Sequence, residues 1–366
     1  MPIEQTLFSD GRVAVFSDIH FGVGRESVLK LDTAVHCVDW MIVEMESRSV
    51  ETVLFLGDWF DNRNSIGVPT INAAYDCIKR LSARFNVILV IGNHDTNLKT
   101  TNDINSVKIF KEISNVSVIH EPVITSIAGY DAWLCPWNMD IEKYGSRRYD
   151  IAAGHFEFNG AALCGTVAKN RKYNMTDLGK LGSTVLTGHY HIRKTYQMDD
   201  FNIISVGSPF QLDWGDYGNS KGFYVIEPGM ADIEKRFTFV LNTISPEHKI
   251  VLWSQKDEER SLDNSIVKLV VDDKYKYEEV VSLTNRINEG KLFRPVEVEY
   301  AYNADSELLD VKNIREGGEI KLSTVEYIKK YVDKLDAKVL DDDERKDVNE
   351  MLAGYYKMAE EVVGDE

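Results

Sequence analysis

Five short segments carry residue types that bind metal ions or move protons. They are Asp18-Ile-His20, Gly57-Asp58-Trp59-Phe60-Asp61, Gly92-Asn93-His94-Asp95, Gly154-His155 and Gly188-His189-Tyr190-His191. Each follows a short apolar run, and five of the eight histidines stand in such places. One such motif alone is an ordinary polar loop start. The His189/His191 pair is better, because alternate residues of an extended segment point the same way. All five, each after a strand-like run, specify a metal centre. No cysteine lies among them, which excludes a cysteine-rich structural zinc site. Carboxylate, imidazole and amide ligands suit divalent first-row ions, Mn²⁺ first, with Fe²⁺ or Mg²⁺ as alternatives. Asp18, His20, Asp58, Asn93, His155, His189 and His191 are more candidate ligands than one ion takes. Two ions about 3.5–4 Å apart sharing one carboxylate form the arrangement that cleaves phosphoesters, and Asp58, central in the motif order, is the natural bridge.

The elements that must position these groups are legible around them. Residues 13–17, 52–56 and 87–91 read as buried strands, each ending just before a motif. Between them run two helical stripes. Val28, Leu31, Val35, Val38, Ile42 and Met45 mark the first, and Ile71, Ala74, Ile78 and Leu81 the second. Such alternation builds a parallel sheet, and ligands bind outside the carboxyl ends of its strands. From 116 to about 240 short strands dominate, at 116–119, 132–135, 151–153, 184–187, 203–206 and 223–226. The polar segment 245–264 reads as a linker. Residues 265–271 and 296–302 read as strands flanking a helix over about 275–288. Beyond a second linker at 303–319, two amphipathic helices close the chain. The first opens on the capping box Ser323-x-x-Glu326, and the second follows the acidic cluster Asp341–Glu344.

With 366 residues the chain has room for two or three domains, and 43% apolar and 10% aromatic residues exclude a disordered polymer. No apolar run approaches the roughly 20 residues of a membrane span, and no basic-then-apolar leader opens the chain, so a cytoplasmic location is expected. Cys37, Cys77, Cys135 and Cys164 lie far apart without C-x-x-C spacing and read as reduced core thiols. The net charge is −17: residues 1–250 carry 24 basic and 30 acidic side chains, and residues 251–366 carry 18 and 29. So acidic a chain is no passive polyanion binder, although metal ions would cancel the carboxylates around them.

The ordered set D-x-H, G-D-x-x-D, G-N-H-D, G-H and G-H-x-H, over residues 13–191, resembles the calcineurin-like metallophosphoesterase superfamily. Further details are similar to SbcD-type DNA nucleases, and in particular to phage recombination endonuclease subunits that work with an SbcC-like ATPase. These details are Phe21-Gly22 after D-x-H, Gly-His-Phe-Glu-Phe-Asn-Gly at 154–160 and Val-Gly-Ser-Pro-Phe at 206–210. The resemblance implies an α/β fold, the metallophosphoesterase αββα sandwich, with a small α/β capping domain and a C-terminal helical hairpin. It implies a nuclease domain at 1–240, a capping or DNA-positioning domain at 241–318 and ATPase-docking helices at 319–366. One ion would be held by Asp18, His20, Asp58 and His191, the other by Asp58, Asn93, His155 and His189. His94 would face the scissile phosphate as a catalytic group, Asp95 would orient His94, and Asp61 would orient a ligand.

The function implied is a two-metal-dependent DNA exonuclease and structure-selective endonuclease acting in recombination and double-strand break repair, in the host cytoplasm if phage-encoded. The alternative is a free-standing phosphodiesterase or phosphatase on small nucleotides or phosphoproteins. Arg147, Arg148, Lys169, Arg171, Lys172, Arg193 and Lys194 form a basic stripe suited to a phosphate track. Trp59, Trp137 and Trp214 are candidates for base stacking, weighed against burial. Leu322, Ile328, Val332, Leu335, Met351, Leu352 and Tyr355 form the apolar stripes expected to dock on the ATPase. A homodimer through the helices at 28–45 and 71–84 is a further expectation.

Overall fold

The computed structural model describes residues 3–5, 7, 10–98, 101–144, 147–252, 262–272 and 297–303. Its first stretch alternates strand and helix: β1 (Arg12–Phe16), α1 (Val28–Ser47), β2 (Val50–Phe55), α2 (Val68–Ser82), β3 (Asn86–Val90) and β4 (Val116–Ile119). The four strands pair in parallel, in chain order. A second sheet follows, from β5 (Val123–Ile127), β6 (Tyr130–Cys135), β7 (Tyr149–Gly154), β8 (Gly182–Thr187), β9 (Lys194–Gln197) and β10 (Asn202–Ser205). Its order is β5-β6-β7-β8-β10-β9, with Ile3–Glu4 paired outside β5, and β6, β7, β8 and β10 run parallel. The chain then returns to the first sheet. β11 (Gly222–Ile226) and β12 (Phe237–Leu241) add antiparallel beside β1.

Strand alternation explains the layering, because neighbouring residues face opposite sides of a sheet. Ala14, Phe16, Val53, Phe55, Val87 and Leu89 pack with Ala34, Cys37, Met41, Ala74, Ile78 and Leu81 from the helices. Val13, Val15, Leu54, Ile88 and Val90 face the other way and pack on Leu134, Ile151, Ala153 and Leu186 of the second sheet. The outer face of that sheet carries Trp133, Ala152, Val185 and Ile203 under Phe158, Leu178 and Tyr190. The expected sandwich is present, but its second outer layer is thin. A one-turn helix, Met175–Gly179, and irregular chain stand there in place of long helices.

Helix α1 starts at Ser27, whose hydroxyl accepts from the Lys30 N–H, and α2 starts on Gly67 with Pro69 in its first turn. The helical stripe is shifted at one end: Val38, Ile42 and Met45 are buried, but Val28 is 72% exposed. Among the cysteines, Cys37, Cys77 and Cys135 are buried and Cys164 is exposed, against the expectation of four core thiols. Burial pushes the Cys37 and Cys77 thiols up to about 12, so neither is a thiolate at neutral pH.

The segment expected to be a linker contains strand β13 (Glu247–Leu252), parallel to β14 (Ser265–Asp272), which is parallel in turn to β15 (Glu297–Asn303). The polar opening of β13 is satisfied by a residue distant in the chain: the His248 backbone N–H donates to Gln211 Oε1 at 2.6 Å. The run after it, Ile250-Val251-Leu252, is then free to pair. The helix expected at 275–288 and the closing helices, with Leu322, Ile328, Val332, Leu335, Met351, Leu352 and Tyr355, lie outside the described residues. The chain divides into two compact units, Met1–Ser306 and Glu307–Glu366. Among the described residues, no helix is long and apolar enough to cross a membrane.

Candidate metal centre

Parallel pairing brings the carboxyl ends of β1, β2, β3, β7 and β8 to one edge of the sandwich. The two loops after β1 and β2 continue their ladder past the strands: the Asp18 N–H donates to Gly57 O at 3.0 Å and the His20 N–H to Asp58 O at 3.1 Å. Asp18, His20, Asp58 and His189 all hold positive φ, the last at 79°. Left-handed backbone is costly for a side-chain-bearing residue and clusters at functional sites. The glycine before each ligand has a steric reason. A Cβ on Gly92 would lie 2.2 Å from Asp58 Oδ1, and one on Gly188 would lie 2.1 Å from Ser17 Oγ and 2.5 Å from Leu56 O.

The side chains converge. Asp18, His20 and His191 offer ligand atoms within 4.8 Å of one another, and so do Asp58, His155 and His189. Asn93 belongs to the second group, its Oδ1 lying 2.8 Å from His155 Nε2 and 2.9 Å from His189 Nδ1. Asp58 stands between the groups, with Oδ2 3.5 Å from His20 Nε2 and 3.3 Å from His155 Nε2. Its Oδ1 accepts from the His94 N–H at 2.8 Å.

The donor chemistry tests whether cations fit. His155 Nδ1 lies 2.7 Å from the Leu56 carbonyl, which can only accept, so that nitrogen carries the proton. A neutral His155 therefore turns the Nε2 lone pair toward Asn93 Oδ1 and Asp58 Oδ2. His20 behaves alike: Nδ1 meets Asp61 Oδ1 at 3.1 Å, and Nε2 faces His191 Nε2 at 3.2 Å. Lone pairs and buried carboxylates aimed at one another need a cation between them. The residues present fit two divalent ions, and Asp61 is placed to fix the ring of His20.

Without ions, protons carry that charge. Burial opposes protonation of His20 and His155, but Asp18 and Asp61 lift the first to about 10, and Asp58 lifts the second to about 9. Burial also opposes ionisation of Asp58, yet the charge of His155 and its hydrogen bond hold that carboxyl far below the usual range. Asp18 is likewise held low by its His20 bond, against the effect of burial. His189 is pushed down to about 3 by burial and then by the charge of His155, and His191 is lowered by burial and His20.

Two expectations need correction. Asp95 does not orient the His94 ring. Its carboxylate accepts from the backbone N–H groups of Asp58, Trp59, Phe60 and Gly92 at 2.8–3.3 Å, clamping the β2 and β3 loops together. The His94 ring is held instead by the Asp61 carbonyl at Nδ1. The basic stripe is also broken up. Arg147 and Arg148 precede β7, at the end opposite His155, and pair with Asp131 and Asp200. Arg171 pairs with Glu157 and Lys172 with Asp140, both beside the site, while Arg193 stacks on Phe239. Lys194 lies over Tyr196, and Lys169 is exposed. Trp59 is buried among Phe21, Phe55 and Phe110, and Trp214 packs on His248. Trp137 is half-buried and stacks on His189.

One group escaped sequence reasoning. Lys221 is buried, and its Nζ donates to the His191 carbonyl at 2.6 Å, to Ser208 Oγ at 2.8 Å and to Asp216 Oδ1 at 2.6 Å. The Ser208 N–H donates to the same carbonyl. The buried pair thus pins the His191 loop. A lysine before an apolar strand gives no signal of this, although Ser208 lay within the quoted V-G-S-P-F.

The model of the family described as calcineurin-like phosphoesterase matches residues 11–193, which contain every candidate metal ligand. The chain belongs to this family. A curated relative, "Uncharacterized metallophosphoesterase YkoQ" of Bacillus subtilis (strain 168), is 23% identical over 188 residues. The match spans 50% of this chain and 66% of that protein, slightly less than two thirds. Solved structures similar to this phosphoesterase include a novel archaeal phosphodiesterase (TM-score 0.34, 15% identity, 63% of this chain and 99% of that one). Others are YfcE, a phosphoesterase from E. coli (TM-score 0.33, 13% identity, 59% and 88%), and a dimetal phosphatase from Danio rerio (TM-score 0.41, 9% identity, 60% and 93%). The family match, which includes every candidate metal ligand, is what supports a metal-dependent phosphoesterase.

Proposed function

We propose that this phosphoesterase is a two-metal-dependent DNA nuclease, working in recombination or double-strand break repair with an SbcC-like ATPase and as a homodimer. The observation that carries the hydrolytic part is the convergence of Asp18, His20, Asp58, Asn93, His155, His189 and His191 from five strand ends around mutually facing lone pairs. Two bound ions, Mn²⁺ in the first instance, would supply hydroxide at neutral pH and neutralise the phosphate oxygens. The chain's own residues do the positioning. Asp61 and the Leu56 carbonyl fix the tautomers of His20 and His155, and Asp95 fixes the loops. His94 stands beside His20, ring centroids 4.8 Å apart, where it can donate to the departing sugar oxygen. The DNA reading is supported by the motifs at 154–160 and 206–210.

A second reading, a phosphodiesterase or phosphatase on small substrates, is favoured by one observation: Arg147, Arg148 and Lys180 are spent on local acids. Mn²⁺-dependent assays on linear duplex, single-stranded DNA and a small phosphodiester, with and without the ATPase, separate the two. Cleavage of both DNAs, stimulated by the ATPase, is expected. Turnover of the small ester alone would leave only the second reading.

A further inference from the structure

The carboxyl ends of β6 and β7 shape more than one ligand. Residues 135–141 and 155–157, with Lys172 and Tyr173, line a half-open cavity of about 190 Å³. His155 belongs to its wall and to the metal centre alike, so an occupant lies one side chain from the reacting phosphate. The walls mix aromatic and polar groups: Asn138, Asp140 and Glu157 stand beside the buried Phe156 and Tyr173, and Trp137 is held in place by stacking on His189, ring centroids 5.3 Å apart and tilted by 27°. The charged groups pair off within the lining or at its edge, Lys172 with Asp140 at 3.6 Å and Glu157 with Arg171 at 3.3 Å, while the amide of Asn138 also lines it.

This chemistry selects an occupant. A second phosphate is disfavoured, because two carboxylates line the cavity and hold its basic neighbours. A flat uncharged ring with donors and acceptors on its edge satisfies both the walls and the polar groups. We propose that the cavity is the subsite for the nucleobase of the nucleotide whose phosphate lies at the metal centre, with Trp137 as its fixed aromatic wall. The proposal deepens the phosphodiesterase reading and rests on it.

Direct binding tests it without turnover. Thymidine 5′-monophosphate, 2-deoxyribose 5-phosphate and phenyl phosphate are titrated calorimetrically into the full chain loaded with Mn²⁺. Base–aromatic stacking is worth about 5- to 150-fold in affinity per base. The nucleotide is therefore expected to bind at least about fivefold more tightly than the sugar phosphate, with phenyl phosphate falling short of it. Trp137→Leu keeps apolar bulk but removes the flat face, and should shrink the nucleotide's advantage to about threefold or less. Equal affinity for nucleotide and sugar phosphate overturns the proposal. So does phenyl phosphate matching the nucleotide, since the cavity would then take any ring, and so does an advantage that survives Trp137→Leu. The wild-type comparison decides by itself if that variant does not fold. Failure of the phosphodiesterase reading shows elsewhere, as no Mn²⁺-dependent hydrolysis of thymidine 5′-(4-nitrophenyl) phosphate.

Discussion

Asp58 and His94 sit side by side yet should fail differently. Asp58 reaches both ligand groups through Oδ2, so Asp58→Asn weakens the hold on both ions, and metal content and cleavage should fall together while circular dichroism is unchanged. Full activity in a nuclease-free Asp58→Asn preparation would exclude a shared carboxylate. His94→Ser should keep both ions and lose about 10²–10⁴-fold in turnover, the range for a group acting only in the transition state. Metal loss in that variant would make His94 a ligand, a role its place near His20 and Asp58 also permits. Proton linkage gives a third expectation. With His20 raised to about 10 and His155 to about 9, both rings hold protons at neutral pH, and ions must displace them. Those raised values stabilise the metal-free fold fully below about 6.5, the unfolded value, and the contribution is lost as pH rises through 9–10. Apparent Mn²⁺ affinity should rise from pH 6 to 8, by up to about tenfold per unit for each proton released. Calorimetry in buffers of different ionisation enthalpy reads that release; no proton release would contradict the assignment.

At the scale of elements, each ligand depends on a turn and on what lies behind it. Gly188→Ala would drive a Cβ against Ser17 and the Leu56 carbonyl that sets His155, and overpacking costs about 1–3 kcal/mol. Gly218, at φ +74 with open space around it, isolates the backbone penalty of about 1–2 kcal/mol. Gly188→Ala should therefore lose metal as well as stability, and Gly218→Ala stability alone. Lys221→Met leaves Asp216 buried without its cation, at about 3–5 kcal/mol. Lys221→Met/Asp216→Leu should recover much of that stability but not the His191 loop, so Mn²⁺ affinity should stay about 10–100-fold low. Affinity returning with stability would make the pair merely structural. The strand-end motifs were readable because a β-branched run ending in glycine and a ligand type is a local pattern. Asp95 was misread because its role lies in four backbone amides from two loops, which spacing does not encode. Strand β13 was missed because Glu247 and His248 look like solvent-facing residues until Gln211, far away in the chain, satisfies the latter. Lys221 was invisible for the same reason: its partners come from 191, 208 and 216.

The whole chain poses a question about its acidic end. Residues 251–366 hold most of the net −17. Two short amphipathic helices expected at 319–366 cannot bury both apolar stripes on each other, since small units lack core. Their stripes belong either on the phosphoesterase or on a partner. Docking on an SbcC-like ATPase would gain about 25 cal/mol per Å² of apolar area buried, before the costs of association. The surplus negative charge would repel DNA and favour a basic protein surface. Deleting 319–366 should leave the Mn²⁺-dependent activity and thermal midpoint of the isolated chain nearly unchanged, while abolishing co-purification with the ATPase and any effect of ATP on cleavage. A truncated chain that unfolds would put these helices in the core. One that binds the ATPase with unchanged affinity would place the dock elsewhere, and either result ends the docking assignment.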